Sequence, residues 1–572
     1  MFKPQIITSL KNYNGKTFVS DLIAGIIVGI VALPLAIAFA IASGVNPAAG
    51  LFTAITAGFC ISAFGGSTVQ IGGPTGAFAV IVYGVVSQHG LSGLAAATVM
   101  AGAILILLGV FKMGGLVKFI PYTIVTGFTA GIAVTIAAGQ IGDFFGLSPD
   151  FSTPLTILGE TYTKMPGDFL PKIIVYIKSA STINLYSFIL ASVCLVFIFT
   201  WAKFSKKIPG SFVVLILATV ASILLDKFFG LKTDTIGFFA DGRPHFTIPS
   251  SLPSPQLPDF SLGTIRTLFP TSISIAVLAA IESLLSAVVA DGMTGAKHDS
   301  NTELIGQGIA NIVSPLFGGI PATGAIARTA TNIKNGGKTP IAGIIHAITL
   351  LLILLFFGKY ASYIPMAALA AVLINVAWNM AGLKAIRSLV KGQKSDTAVF
   401  LVTFLITVFI DLTVAIEVGI GLAAFFFIKK MIDLSEVQSQ RENPVSGIHG
   451  NNDIDEKPLD VPKGVMVYEI DGPLFFGTVR KFEVAVEQAE LKYKVLILRM
   501  RHTLYIDAGG IRALEQAKSV CDRLGVTIVL SGIHTQPYML CEKTGMADKL
   551  GRENIFDHID GALERARELI SK

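Results

Sequence analysis

The chain has 572 residues, 52% of them hydrophobic and only 14% charged, with a mean hydropathy of +0.69; a soluble protein carries about 25% charged residues, so an ordinary soluble enzyme is excluded. Of its 82 charged residues, 40 follow Ile432, which divides the chain into a long membrane-embedded part and a soluble tail of single-domain size. The formal net charge of +6 includes no Lys/Arg block that would track a phosphate backbone, so nucleic acid is set aside as a partner.

Lys3, Lys11 and Lys16 precede an apolar run from Leu22 to Ala42. The run is too long for a signal-peptide core and more spans follow it, so it reads as an uncleaved first helix. Stretches of about 20 apolar residues, enough to cross about 30 Å of hydrocarbon, recur near 22–42, 47–64, 94–111, 119–139, 183–202, 211–229, 269–290, 340–358, 363–381, 397–412 and 413–428. Three shorter stretches, near 75–87, 303–318 and 323–333, bring the total to about fourteen. Interrupted apolar segments are tolerated only where protein or a cavity satisfies their backbone, so these mark the functional region.

With the N-terminus inside, the inward connections hold Lys112 and Lys118, then Lys203, Lys206 and Lys207, then Lys334 and Lys338, then Lys384, Arg387, Lys391 and Lys394. The short outward ones hold almost only Lys359. The positive-inside rule then places both termini in the cytoplasm, and two long connections, near 140–182 and 230–268, outside. Cys60, Cys194, Cys521 and Cys541 lie far apart, so neither a disulfide framework nor a zinc site follows.

The membrane domain is read as 1–432 and a linker as 433–462, with Asn/Asp/Gly/Pro/Ser composition from Asn443 to Pro462. Beyond it, strands are expected at 465–470, 495–498 and 526–530, alternating with helical patterns at 478–492, 508–524, 536–548 and 558–570. The tail 463–572 is therefore a small α/β domain.

Two segments echo each other. Pro74-Thr75-Gly76-Ala77-Phe78-Ala79 and Ala322-Thr323-Gly324-Ala325-Ile326-Ala327 share Thr-Gly-Ala-x-Ala, and each opens a short apolar stretch. In inverted-repeat transporters two broken helices meet at mid-membrane, and their free N–H groups and positive dipole ends form an anion site. Thr75, Gly76 and Ala77 with Thr323, Gly324, Ala325 and Ile326 are the substrate candidates. The alternative is close helix packing by small residues.

On these residues the chain resembles the SulP family of anion transporters. The marks are Pro34-Leu35-Ala36-Ile37-Ala38-Phe39-Ala40 followed by Gly44-Val45-Asn46-Pro47, then Gly73-Pro74-Thr75-Gly76. Later come Asp299-x-Asn301-x-Glu303-Leu304, Gln307-Gly308-x-x-Asn311, and Gly318-Gly319-x-Pro321 leading to Arg328. The tail resembles a STAS domain at Gly472-Pro473-Leu474-Phe475-Phe476-Gly477 and Ile506-Asp507-Ala508-Gly509-Gly510. The resemblance implies a polytopic α-helical membrane protein with fourteen segments in two inverted repeats of seven. These would form core and gate domains, with substrate between the third and tenth segments and Phe39 beside it, usually in a homodimer in the lipid membrane.

Glu282 lies mid-span, where a carboxylate costs roughly 2.5–3.5 kcal/mol and marks a functional candidate. Ser286, at i+4, shares its helix face. The resemblance gives the acidic residue here a part in ion coupling, by H+ or by Na+ held near Glu282, Ser286 and Gly324. Arg328, a turn or so into the second broken helix, would favour an anion; the alternative is that it neutralises Glu282 or snorkels. Glu417 and Asp411 lie near span ends and read as structural. Asp299, Asn301, Glu303 and Asn311 read as ties between helices.

Gly337-Lys338-Thr339 imitates the end of a phosphate-binding loop, but the leading glycine would have to be Asn332. No hydrolase motif occurs, so no enzyme and no cofactor is expected. The expectation is a secondary active transporter of a small inorganic or carboxylate anion in a bacterial cytoplasmic membrane, sulfate or a dicarboxylate with proton coupling, by elevator-like movement. Sodium-coupled bicarbonate symport is the alternative, and a channel, a voltage-driven motor or a STAS-linked sensor are rivals from other classes.

Overall fold

The computed structural model describes residues 2–115, 121–204, 209–251, 253, 255–410, 412–440, 459–480, 482 and 493–571. Lys118, Lys206, Lys207, Asp411, most of the helix expected at 478–492 and the linker from Asn443 to residue 458 lie outside them. Two compact units result, Met1–Ile420 and Gly421–Lys572.

In the first unit a short helix α1, Gln5–Ser9, precedes α2, Gly15–Ala42, and α3, Pro47–Phe64. Asn14 and Asn46 accept N–H groups at the starts of α2 and α3, and Pro47 occupies the first turn of α3, where no donor is needed. A two-residue strand β1, Gly72–Gly73, leads into a 3-10 turn, Gly76–Phe78, and α4, Ala79–Val110. At Gly90 the backbone turns to φ 68°, a conformation that suits glycine, and divides α4 into two legs. Then follow α5, Tyr122–Gly139, its extension α6, Ile141–Phe145, a hairpin of β2, Leu155–Ile157, and β3, Glu160–Tyr162, and α7, Phe169–Lys178. Helices α8, Leu185–Phe204, and α9, Gly210–Phe229, close the first half.

The second half repeats the plan. Helices α10, Leu262–Thr294, and α11, Ser300–Leu316, precede strand β4, Thr323–Gly324, and the nine-residue helix α12, Ile326–Lys334. After them come α13, Pro340–Ala361, α14, Met366–Ala381, α15, Leu383–Val390, α16, Lys394–Phe409, and α17, Leu412–Leu434. With α4 taken as two legs, α6 as the end of α5, α15 as that of α14, and α1 and α7 set aside, seven spans lie before residue 230 and seven after residue 261. Among the described residues eight helices are individually long and apolar enough to cross a membrane; α11 and α12 are too short and depend on their neighbours.

The helices sort into two groups. Helix α11 packs on α4 and α3, α13 on α2 and α3, and α10 on α4 and α12; separately, α5 packs on α16 and α14, and α14 on α8. Within the first group α4 and α11 cross at paired glycines: a Cβ on Gly102 would lie 2.7 Å from the Gly308 carbonyl oxygen, and one on Gly308 2.6 Å from that of Gly102. Small residues bring the two backbones together, and no side chain would fit between them.

The second unit is an α/β domain with the sheet order β5-β6-β7-β8-β9. Strands β6, Val465–Asp471, β7, Val495–Arg499, β8, Thr527–Ser531, and β9, Ile555–Phe556, are parallel, and β5, Glu436–Gln440, adds antiparallel to β6. The period-2 pattern explains the layering: Met466, Leu496 and Ile528 face one buried cluster, and Val465, Val467 and Ile497 face the other. The helices are α18, Ala508–Leu524, α19, Thr535–Lys543, α20, Met546–Leu550, and α21, Ile559–Ser571. The pattern at 536–548 thus forms two helices, divided at Gly545 with φ 73°. Strand β5 comes from the segment read as linker; polar and at the sheet edge, it needs only backbone pairing and carries no apolar alternation.

Candidate functional site

The two echoing segments meet. Strands β1 and β4 pair antiparallel, Gly72 opposite Gly324 and Gly73 opposite Thr323, so the chain enters the two broken helices from opposite directions. Amide N–H groups in the first turn of a helix have no intrahelical acceptor, and with the dipole they favour an anion there.

Helix α12 grips the first lead-in through one face. Asn332 donates Nδ2 to the Val69 carbonyl at 2.9 Å, and Thr329 Oγ1 accepts the Ile71 N–H at 3.0 Å. The Ala325 N–H donates to the Ile71 carbonyl at 2.9 Å, and Arg328 Nη2 donates to the Pro74 carbonyl at 3.1 Å. Arg328 is 1% exposed, and Nη1 is buried with no hydrogen-bond partner. Its guanidinium therefore lies against Gly73 of β1, with no ion pair to Glu282, and Ile326 and Ala327 occupy the exposed side of the helix. In this arrangement Arg328 fixes the lead-in through the Pro74 carbonyl and leaves Nη1 as an uncommitted donor beside it. Thr329 and Asn332 were not singled out from the sequence, although they follow Arg328 at i+1 and i+4.

Thr75 reaches Glu282, its hydroxyl donating to Oε2 at 2.8 Å, and both side chains are partly exposed. Thr323 donates to the Ala279 carbonyl of α10 at 2.8 Å. Ser286 does not join Glu282: its hydroxyl contacts Thr329 Oγ1 at 3.3 Å. Gly324 is buried in β4 against Gln70. Among the described residues no cluster of three His, Cys, Asp or Glu side chains is placed to hold a metal.

Gly76 is lined from three sides. A Cβ there would lie 2.9 Å from Ile136 Cδ1, 3.0 Å from Phe39 Cε1 and 3.4 Å from Met380 Sδ. Phe39 is thus beside the first broken helix, while Ala77 is buried. Ile136 on α5 and Met380 on α14 are additions that only the tertiary structure supplies. The candidate residues therefore gather where the α2–α4 and α10–α13 group faces the α5, α14 and α16 group.

Glu303 is fully buried and acts as a tie. Its Oε1 accepts from Gln70 Nε2 at 2.7 Å, Gln307 Nε2 at 2.9 Å and Ser283 Oγ at 3.1 Å, and Oε2 from the Gly66 and Ser67 N–H groups at 2.8 and 3.1 Å. Asp299 caps α11 by accepting the Thr302 N–H, Asn301 accepts the Gly114 N–H, and Asn311 binds the N–H and carbonyl of Ala322. E303A leaves the buried Gln307 amide and the Gly66 and Ser67 N–H groups without their acceptor; we expect a loss of about 3 kcal/mol, measured as a lower thermal midpoint in detergent.

The Gly337-Lys338-Thr339 run holds an internal carboxylate. Asp21 Oδ1 accepts the Lys338 and Thr339 N–H groups at 2.7 and 3.2 Å, and Oδ2 the Thr339 hydroxyl at 2.6 Å. In the tail, Asp507 accepts the Gly510 N–H at 2.8 Å and the Phe476 N–H at 3.1 Å. The first glycine-bearing turn is closed by Asp21 of α2 and the second by Asp507, the cap of α18.

Fold and site together define a multi-pass membrane anion transporter with two broken helices at its centre. Residues 18–403 match the sulfate permease family and residues 456–562 the STAS domain; the chain belongs to the sulfate permease (SulP) family. A putative sulfate transporter of Bacillus subtilis, YvdB, is 42% identical over 551 residues, 96% of this chain and 98% of the relative. The bicarbonate transporter BicA of Picosynechococcus is 31% identical over 473 residues, 80% of this chain and 79% of the relative. The murine Slc26a9 anion transporter in its inward-facing state shares the fold with a TM-score of 0.85 at 20% identity, over 99% of this chain and 94% of that one. The chain is a transporter, not an enzyme.

Proposed function

We propose that this protein is a proton-coupled symporter of a small oxyanion, sulfate ahead of a dicarboxylate, working by elevator-like movement of the first helix group against the second. The observation that carries it is the hydrogen bond from Thr75 to Glu282. A carboxylate joined to the lead-in of an anion site repels an anion there as long as it is ionised. A proton on Glu282 removes the repulsion, so cation and anion binding assist each other, which is the thermodynamic content of symport. The exposed apolar Ile326 and the diversion of Ser286 to Thr329 leave few oxygen ligands for sodium.

Sodium-coupled bicarbonate transport is the second reading, supported by the likeness to BicA. We further infer that the protein works as a homodimer in a bacterial cytoplasmic membrane, with both termini and the STAS domain in the cytoplasm. The lysine distribution supports this orientation.

Uptake of radiolabelled sulfate into proteoliposomes tests the reading. An inward proton gradient should drive saturable accumulation, and a sodium gradient at constant pH should not. Stimulation by sodium alone would overturn proton coupling, and sodium-driven uptake of labelled bicarbonate in place of sulfate would move the assignment to the second reading; ohmic current would make the protein a channel, and binding without flux a sensor.

A further inference from the structure

A cavity of about 80 Å³ lies between the two helix groups at the end of α16 remote from Lys394, the side that the lysine distribution places outside. It begins one helical turn from Gly76: its walls include Ala79 and Tyr83 of α4 and Ile136 of α5, the same Ile136 that stands beside Gly76. Lys172 of α7 also lines it.

Helix α7 belongs mechanically to the second helix group. Tyr176 donates its hydroxyl to the Gly139 carbonyl of α5 at 3.1 Å, and Phe169 meets Phe409 of α16 edge to face at 5.5 Å. The Lys172 ammonium, however, lies over the ring of Tyr83, 4.7 Å from its centroid, on the first helix group. The Tyr83 hydroxyl donates back to the Met165 carbonyl at 2.8 Å. Among the described residues that ammonium has no hydrogen bond and no ion pair, only the ring face. Burial draws its pKa down from the usual lysine value, and the Asp168 carboxylate, which also lines the cavity, draws it back up.

A half-buried cation held by an aromatic face and by the field of Asp168, in a cavity that shares Ile136 with the start of the first broken helix, is positioned to exchange that weak contact for an anion. We propose that Lys172 is the outer receiving residue for the transported oxyanion, binding it on entry before it reaches Gly76 and Thr323. The inference rests on the anion-transport reading above and adds to it a binding step and a sidedness. In the present arrangement the Tyr83 ring covers the ammonium. Movement of the first helix group withdraws the ring and frees the charge, so recruitment is confined to the outward-open state. Asp168 limits how tightly the anion is held, which suits a residue that must pass it on.

Sulfate uptake is to be measured in right-side-out and inside-out membrane vesicles from the full-length protein. K172Q should raise the KM from the outer face about fivefold to tenfold, leave the KM from the inner face unchanged, and lower Vmax little. The wild-type outer KM should also rise with ionic strength more steeply than that of K172Q, since screening acts on the charge and not on packing. K172R, with its charge retained, should keep the wild-type outer KM. Equal KM values on both faces in wild type and K172Q would overturn the proposal while leaving anion transport intact. Equal impairment of K172R and K172Q would also overturn it, since packing would then be the role of Lys172. A wild-type protein that moves no sulfate in either orientation overturns the underlying transport reading instead.

Discussion

Glu282→Gln should abolish concentrative uptake while sulfate exchange and binding persist. Glutamine keeps the size of the side chain and an oxygen to accept the Thr75 hydroxyl, which now bonds Oε2 at 2.8 Å, so the lead-in to the first broken helix stays in place. What it cannot do is gain or lose a proton. With the repulsion permanently removed, anion binding no longer depends on proton binding and the pH gradient has no purchase on the cycle. We expect pH-driven accumulation to fall to the equilibrium level and counterflow of preloaded sulfate to continue. Undiminished accumulation in E282Q would remove Glu282 from coupling.

Gly76→Val should reduce transport about 100-fold or more, equivalent to about 2.8 kcal/mol of lost anion stabilisation. The Cβ alone comes within 2.9 Å of Ile136 Cδ1 and 3.0 Å of Phe39 Cε1. Those are the ends of flexible side chains, so alanine is accommodated by small shifts. Valine adds two methyl groups in the space that an anion needs to approach the backbone. Size-exclusion profile and thermal midpoint should stay close to wild type, separating blocked access from failure to fold. Full transport by G76V would place the anion elsewhere.

The spans were legible because hydrocarbon demands long apolar runs, and the broken helices because Gly and Pro interrupt them. The β1–β4 pairing was not, since Gly72–Gly73 and Thr323–Gly324 carry no side-chain pattern and pair through backbone alone. Arg328 shows a second limit. Its position near the tip placed a positive charge by the helix ends, but not the buried face that it shares with Thr329 and Asn332 and that binds residues 69–74. Ser286 shows a third: its spacing puts it on the face of Glu282, but its hydroxyl pairs with Thr329. In the tail, short runs of β-branched and apolar residues located β6 to β8 almost to the residue, whereas the polar edge strand β5 had nothing to reveal it.

Coupling is tested most directly by recording external pH while sulfate is added to poorly buffered proteoliposomes with the interior held at the same potential. Entry with a proton should produce a transient external alkalinisation whose amplitude follows the sulfate taken up and which disappears in E282Q. Sulfate uptake with no pH change, at any sodium concentration, would contradict proton symport.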